Sequence, residues 1–232
     1  MSMRRIVMIG CVVTLAATAA FAKISGDENK RLSESATIIN EMRSAADGGI
    51  PQDLWNKSEC VVVIPSLKKA AFVLGGEYGS GVMSCRAGTN WSAPVFMQLA
   101  KGSVGFQIGA QQTDLVLLIM NRRGLDRLLS DKVTLGADAS IAAGPVGRSA
   151  TAATDAQLSA EILSYSRSQG LFAGINLSGG ALKPDKDANA RAYGSAVAAR
   201  DVVTGSQPAA LVEATPFIEA LRQSAGRPVP AN

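Results

Sequence analysis

The chain has 232 residues, 23 Lys plus Arg against 19 Asp plus Glu, 5% aromatics and no histidine. The missing histidine excludes Ser-His and Cys-His nucleophile pairs and removes the commonest metal ligand. The formal charge of +4 falls to about +2 without Arg4 and Arg5, too weak a field for general nucleic-acid binding.

The first element begins with Arg4-Arg5, continues as "IVMIGCVVTLAATAAFA" and ends in the charged "KISGDENKR". A short basic start, an apolar core and small residues at Ala20 and Ala22 predict a secretory signal peptide over 1–22, cleaved before Lys23. The run is short for a membrane span of about 20 residues. An exported chain is expected in the periplasm or cell envelope of a bacterium, or secreted. Residues 23–58 read as an N-terminal helical segment. In "ENKRLSESATIINEMRSAA", Leu32, Ala36, Ile39, Met42 and Ala46 recur at helical spacing, and Gly48-Gly49 ends the run. "IPQDLWNKS" gives a second short helix with Pro51 at its start.

From residue 59 the period changes. "CVVVIPS", "AAFVLGG" and "GVMSCR" predict three short strands, with Lys68-Lys69 in the turn between the first two. "VGFQIGAQ" alternates, with Val104, Phe106, Ile108 and Ala110 on one face. "LVLLIMN" is an apolar strand before the helix-like "RRGLDRLLSD". "KVTLGADASIAAG" alternates over a long stretch, and "ILSYSRS" with "LFAGINLSG" predicts a hairpin around Gln169-Gly170. Pro184-Asp185 starts a helix to about Tyr193. Residues 201–232 hold a helical patch at "PFIEALRQ" and a Pro-rich, disordered tail. Successive strands with few crossover helices predict an α+β fold: a strongly curved, barrel-like, mainly antiparallel sheet over 59–200 with flanking helices.

Cys60 and Cys85 are the cysteines left after the leader, and an oxidising compartment favours a disulfide between them. In a three-strand meander their Cα atoms would stand too far apart. A bridge requires their strands to run antiparallel, or the sheet to curl.

Gly75, Gly76, Gly79 and Gly81 fall within seven residues. A dinucleotide fingerprint needs G-x-G-x-x-G leading from strand to helix. Counting from Gly79, the third position is Ser84 and strand-like "VMSC" follows. The glycines therefore predict bulges, turns and close backbone approach in a bent sheet. Ser66-Leu67-Lys68-Lys69 matches the S-x-x-K of cell-wall acyl-transfer enzymes. It follows a strand and Pro65 instead of opening a helix, and the S-D-N and K-T-G companions are missing. No particular pair of carboxylates suggests glycoside cleavage.

"WSAP" (91–94), "GFQIGAQQTDLVLLI" (105–119), "VTLGADASIAAGPVGR" (133–148), "SYSRSQGLFAGINLSG" (164–179) and "NARAYG" (189–194) occur in one order. Together they resemble the signature blocks of the SYLF, or Ysc84-type, lipid-binding family, over roughly residues 35–200. The resemblance implies a non-enzymatic protein without cofactor or metal that binds anionic phospholipid. Its partner is then a phospholipid membrane or lipid ligand, not nucleic acid. Actin contact, known in some eukaryotic members, is not expected of an exported chain. Alternatives are a soluble carrier enclosing one lipid or apolar molecule in the curved sheet and, less favoured, an envelope hydrolase.

Attachment without a spanning segment needs apolar insertion and cationic contact with headgroups. Three places supply parts of that: Lys30, Arg31 and Arg43 around the apolar stripe of the first helix, Lys68-Lys69, and Arg122, Arg123 and Arg127 with Lys132 nearby. A helix packed on the sheet and solvated basic faces are the plain alternatives. Asp114 and Arg148, embedded in apolar sequence, read as structural, in a capped loop or buried ion pair. The Tyr165 and Tyr193 hydroxyls could order such loops.

Overall fold

A computed structural model describes residues 24–45, 49–71, 74–104, 109–130, 132–147, 159–168, 171–205 and 211–225. Residues 1–23, Phe106, Ile108, Arg148 and the turn expected at Gln169-Gly170 lie outside the described residues. Among those described, no helix is long and apolar enough to cross a membrane.

Helix α1 (Gly26–Ser44) starts with a capping box between Ser25 and Glu28 and buries Leu32, Ala36, Ile38, Ile39 and Met42. A short α2 (Gln52–Lys57) follows Pro51. Strands β1 (Cys60–Ala71), β2 (Leu74–Ala87), β3 (Asn90–Trp91), β4 (Val95–Val104) and β5 (Gly109–Ile119) come next. After α3 (Arg122–Leu128) come β6 (Val133–Thr134), β7 (Ile141–Ala143), β8 (Ile162–Ser168), β9 (Leu171–Gly174) and β10 (Ala181–Pro184). Helices α4 (Lys186–Tyr193), α5 (Ala199–Val203) and α6 (Thr215–Ala225) complete the described chain.

The strands form one ten-stranded sheet in the order β6-β10-β4-β2-β1-β5-β8-β7, with β3 on β2 and β9 on β8. The named strands pair antiparallel except for β7 with β8. The sheet curls into a half-barrel, in agreement with the curved α+β fold expected. One face packs Val61, Val63, Val82, Phe96, Val116 and Leu118 under α1, α2 and α6. The other packs Val62, Ile64, Met83, Met97, Leu115 and Leu117 against α3, α5 and the loops around Leu135 and Leu177. Burial on both faces is why "CVVVI" and "LVLLI" read as unbroken apolar runs instead of alternating.

Three expected strands are two long ones. Strand β1 continues through Pro65 because its register shifts between Ile64 and Leu67, a bulge where proline's missing N–H costs no ladder bond. The two lysines are therefore within the strand, not in a turn. This straightens the cysteine geometry: β1 and β2 run antiparallel with Cys60 opposite Cys85, and the two are disulfide-bonded. The glycines of β2 serve close approach. A Cβ on Gly81 would lie 2.0 Å from Val63 O, and one on Gly79 would lie 2.5 Å from Ile64 Cγ2, both beside the bulge.

Three strands, β3, β4 and β10, had no counterpart in the periodicity reading. Of "VGFQIGAQ", Val104 belongs to β4 and 109–111 to β5, and residues 105–108 lie outside the described residues. The long alternation from Lys132 breaks at Gly136, with φ +85°, and Asp138 closes the turn by accepting from Thr134 N at 2.7 Å.

Candidate functional site

Ser66 sits in the β1 bulge with φ +51°, the one non-glycine described in the left-handed region. Its backbone N–H donates to Asp114 Oδ1 at 2.9 Å. Asp114 lies directly opposite Arg167 across β5 and β8, and Arg167 donates to Asp114 Oδ2 from Nε at 2.9 Å and from Nη2 at 2.8 Å. Arg167 Nη1 also pairs with Glu41 of α1. One carboxylate thus fixes a strained bulge, and one guanidinium ties that carboxylate to the helix above. The sequence expectation that Asp114 is structural, in an ion pair, agrees with this arrangement.

Above the bulge, α1 leaves a groove of about 470 Å³. Its roof is Ser33, Glu34, Thr37 and Ile38, one face of the helix by their three- and four-residue spacing. Its floor is Pro65 and Ser66 from β1, Gln112 and Asp114 from β5, and Arg167 and Ser168 from β8. Gln112 is opposite Lys68, Lys68 opposite Tyr78, and Tyr78 opposite Ala100. Residues directly opposite in a sheet share a face, so the groove floor continues along β1 and across two more strands, β2 and β4, as one row. Tyr78 is 51% exposed there, within about 10 Å of Gln112 at ordinary strand spacing. Gly76 and Gly102, two residues along on the same face, are exposed beside it.

Alternation places Lys69 on the opposite face of β1, where its Nζ is 3.6 Å from Glu77. Ser66 and Lys69 therefore look to different sides of the sheet, and the S-x-x-K spacing brings no ammonium to the hydroxyl. The other basic candidates are scattered. Lys30 is 3.7 Å from Glu34, while Arg31 donates to the Asp185 carboxylate at 2.9 Å. Arg43 is exposed near the end of α1. Arg122 is exposed on α3. Arg123 and Arg127 face Glu161 at 3.9 and 3.6 Å. Glu161 is itself bound by Ser140 N at 2.9 Å. Helix α3 follows the Ile119 end of β5 and packs on the face opposite α1. Lys68 lies eight residues along β1 from Cys60, the partner of Ile119, or about 25 Å at strand rise. The structure does not bring these cations together.

Several organising residues escaped the sequence reading. Buried Glu28 accepts from Arg191 Nε at 3.0 Å. Burial pushes its pKa up, but hydrogen bonds from Arg191 and Ser25, with the Arg191 charge, hold it below the ordinary carboxylate value. Arg86 donates to the carbonyls of Ser58 (2.8 Å), Trp55 (3.1 Å), Asn56 (3.2 Å) and Ala225 (3.1 Å). It also lies 4.8 Å from the centroid of the Trp91 ring, and burial lowers its pKa against the opposing charge of Glu59. Asn189 holds the start of β4 through Phe96 N and O, both at 2.9 Å. Burial raises the pKa of Tyr165 and of Tyr193, and the Tyr193 hydroxyl donates to Pro94 O. Arginine and glutamate far apart in sequence give no local signal. Only strand pairing and helix docking show that they meet.

Fold and site together define an α+β half-barrel with a helix-roofed polar groove opening onto an uncovered sheet face. The chain belongs to the Ysc84, or SYLF, family: residues 100–224 match the family described as "Las17-binding protein actin regulator". It is 37% identical over 166 residues to LAS seventeen-binding protein 3 of Saccharomyces cerevisiae, covering 69% of this chain and 36% of that protein. It is 35% identical over 167 residues to the SH3 domain-containing YSC84-like protein 1 of Xenopus laevis, covering 71% and 49%. For the Homo sapiens protein of that name the figures are 32% over 182 residues, 75% and 53%. The chain thus spans about a third to a half of the curated relatives it matches. Their names describe binding and regulatory proteins, not enzymes. They correct the partner expected above, a phospholipid membrane or lipid ligand with actin set aside: the family description and the relatives' names indicate actin regulation and protein contact.

Proposed function

We propose that this chain is a non-enzymatic actin-binding module, the partner that its family's description as an actin regulator points to. The contact runs over the sheet face that α1 leaves open. The observation that carries this reading is Tyr78, an exposed aromatic in the row from Gln112 through Lys68 to Ala100, with bare glycine backbone beside it. Tyrosine is over-represented among the few residues that dominate protein interfaces, where a rigid ring covers much area at small entropic cost. Small neighbours let a partner approach the strand backbones closely. Sedimentation with actin filaments tests this. Purified protein lacking residues 1–22 is expected to pellet with filaments in a saturable manner. Pelleting with anionic vesicles and not with filaments overturns it.

A further proposal concerns location and is independent of the filament assay, which tests the binding surface and not the compartment in which a partner is met. The basic–apolar leader supports export with cleavage before Lys23. The Cys60–Cys85 bridge supports an oxidising compartment, where such bonds persist. N-terminal sequencing of the protein from its native source is expected to begin at Lys23. A chain retaining Arg4 and Arg5 contradicts it.

A further inference from the structure

The groove presents hydrogen-bonding atoms of mostly one sense. On α1 the Ser33 hydroxyl donates to Lys30 O at 3.0 Å and that of Thr37 to Ser33 O at 3.1 Å. With their protons committed, both oxygens can only accept from a ligand. Glu34 beside them is likewise an acceptor when ionised. The guanidinium lining the groove, Arg167, is already committed to Asp114 and Glu41. Among the described residues, the Ser66 hydroxyl and the Gln112 amide make no hydrogen bond. Each can accept as readily as it can donate. Acceptors therefore exceed donors, and with Asp114 and Arg167 spent on each other, the carboxylate an incoming anion would meet is Glu34. The complementary ligand is a group that only donates.

We propose that the groove between α1 and the Ser66 bulge seats a cationic side chain, a lysine ammonium or arginine guanidinium, from the protein partner. The partner's main chain continues over Gln112 and Lys68 toward Tyr78. This deepens the protein-binding role and rests on it for the nature of the partner. Both cations have donors and no acceptor, which suits a lining in which acceptors predominate. A volume of about 470 Å³ lies within the ~300–1,000 Å³ of ligand sites, enough for a long side chain and the main chain attached to it. Lys30 competes for Glu34, but that pair is 71% and 40% exposed at 3.7 Å, and such pairs are held weakly. Lys68, next to Gln112 at the open end, suits a partner carbonyl and not its cation.

The test is amide chemical-shift mapping of the protein lacking residues 1–22 with two capped heptapeptides, identical except that one carries lysine and the other N-acetyl-lysine. The lysine peptide is expected to shift Glu34, Ser66 and Gln112, and to bind at least fivefold more weakly to Glu34→Gln and at high salt. Glu213→Gln, at an exposed position distant in sequence, is expected to change nothing. Equal shifts from the acetylated peptide, shifts confined to other residues, no shift at millimolar peptide, or an unchanged Glu34→Gln each overturn the inference. Filament binding without peptide binding defeats the cation site alone. Peptide binding at the groove without filament binding defeats the actin-type partner alone.

Discussion

Ser66 and Asp114 show how one residue's discomfort is offset by another's charge. A non-glycine residue at φ +51° costs roughly 1 kcal/mol, which glycine would not incur. Ser66→Gly is therefore expected to leave stability unchanged or raise it by up to about 1 kcal/mol, read from urea unfolding; a loss above 1 kcal/mol would contradict the strain. Asp114→Ala strips the bulge of its acceptor and leaves Arg167 with Glu41 alone. A loss of about 3 kcal/mol is expected, from the range for breaking a partly buried charge network, and a change under 1 kcal/mol would count against it. Asp114 was legible as a polar residue inside an apolar run. Arg167 was not, because its meaning depends on which strand lies beside β5. At Glu28 the folded-state pKa lies below the unfolded 4.5. The stabilisation is complete above the unfolded value and is lost as pH falls through the depressed folded one. The stability gap between wild type and Glu28→Gln is thus expected at pH 7 and should shrink toward pH 3; a gap that stays constant or grows contradicts the assignment.

At the scale of elements, three expected strands became two, because β1 runs on through the bulge. Pro65 reads locally as a stop, and a stop is what the sequence predicts. In the sheet it marks the point where β1 shifts register and keeps going, so that Lys68 and Lys69 land on opposite faces. The glycine cluster was better read, because backbone that must pass within 2.0 Å of where a Cβ would stand leaves no other residue possible. Strand β4 was missed because "VFMQLAKGSV" mixes apolar and polar residues without a period of two. The cross-strand disulfide joins β1 and β2 over a separation of 25 residues, for which loop-closure entropy gives about 3.5 kcal/mol. Replacing both cysteines by serine is expected to lower unfolding free energy by about that much under oxidising conditions, and equal stability of the two proteins would contradict it. Arg86 ties α2 and the end of α6 to β2 through four carbonyls. Its meaning was likewise hidden from a reading that cannot see docking.

Across the whole molecule, the helices are committed to structure and one stretch of sheet is not. The apolar stripe of α1, which in isolation suits insertion into lipid, is spent on the core through Leu32, Ile38, Ile39 and Met42. The basic residues that suggested a membrane-facing patch are distributed over two faces and both ends of the sheet, several of them beside carboxylates. Among the described residues, the groove and the row leading to Tyr78 stand open. Sequence patterning captured the curved α+β sheet, since periodicity and glycine placement are local. The open row needed the cross-strand register. The most direct measurement is the affinity for actin filaments of wild type and of Tyr78→Ala, compared at equal unfolding free energy. The account predicts saturable binding by the wild type and at least a tenfold loss in the variant; equal affinity in the two proteins would contradict it.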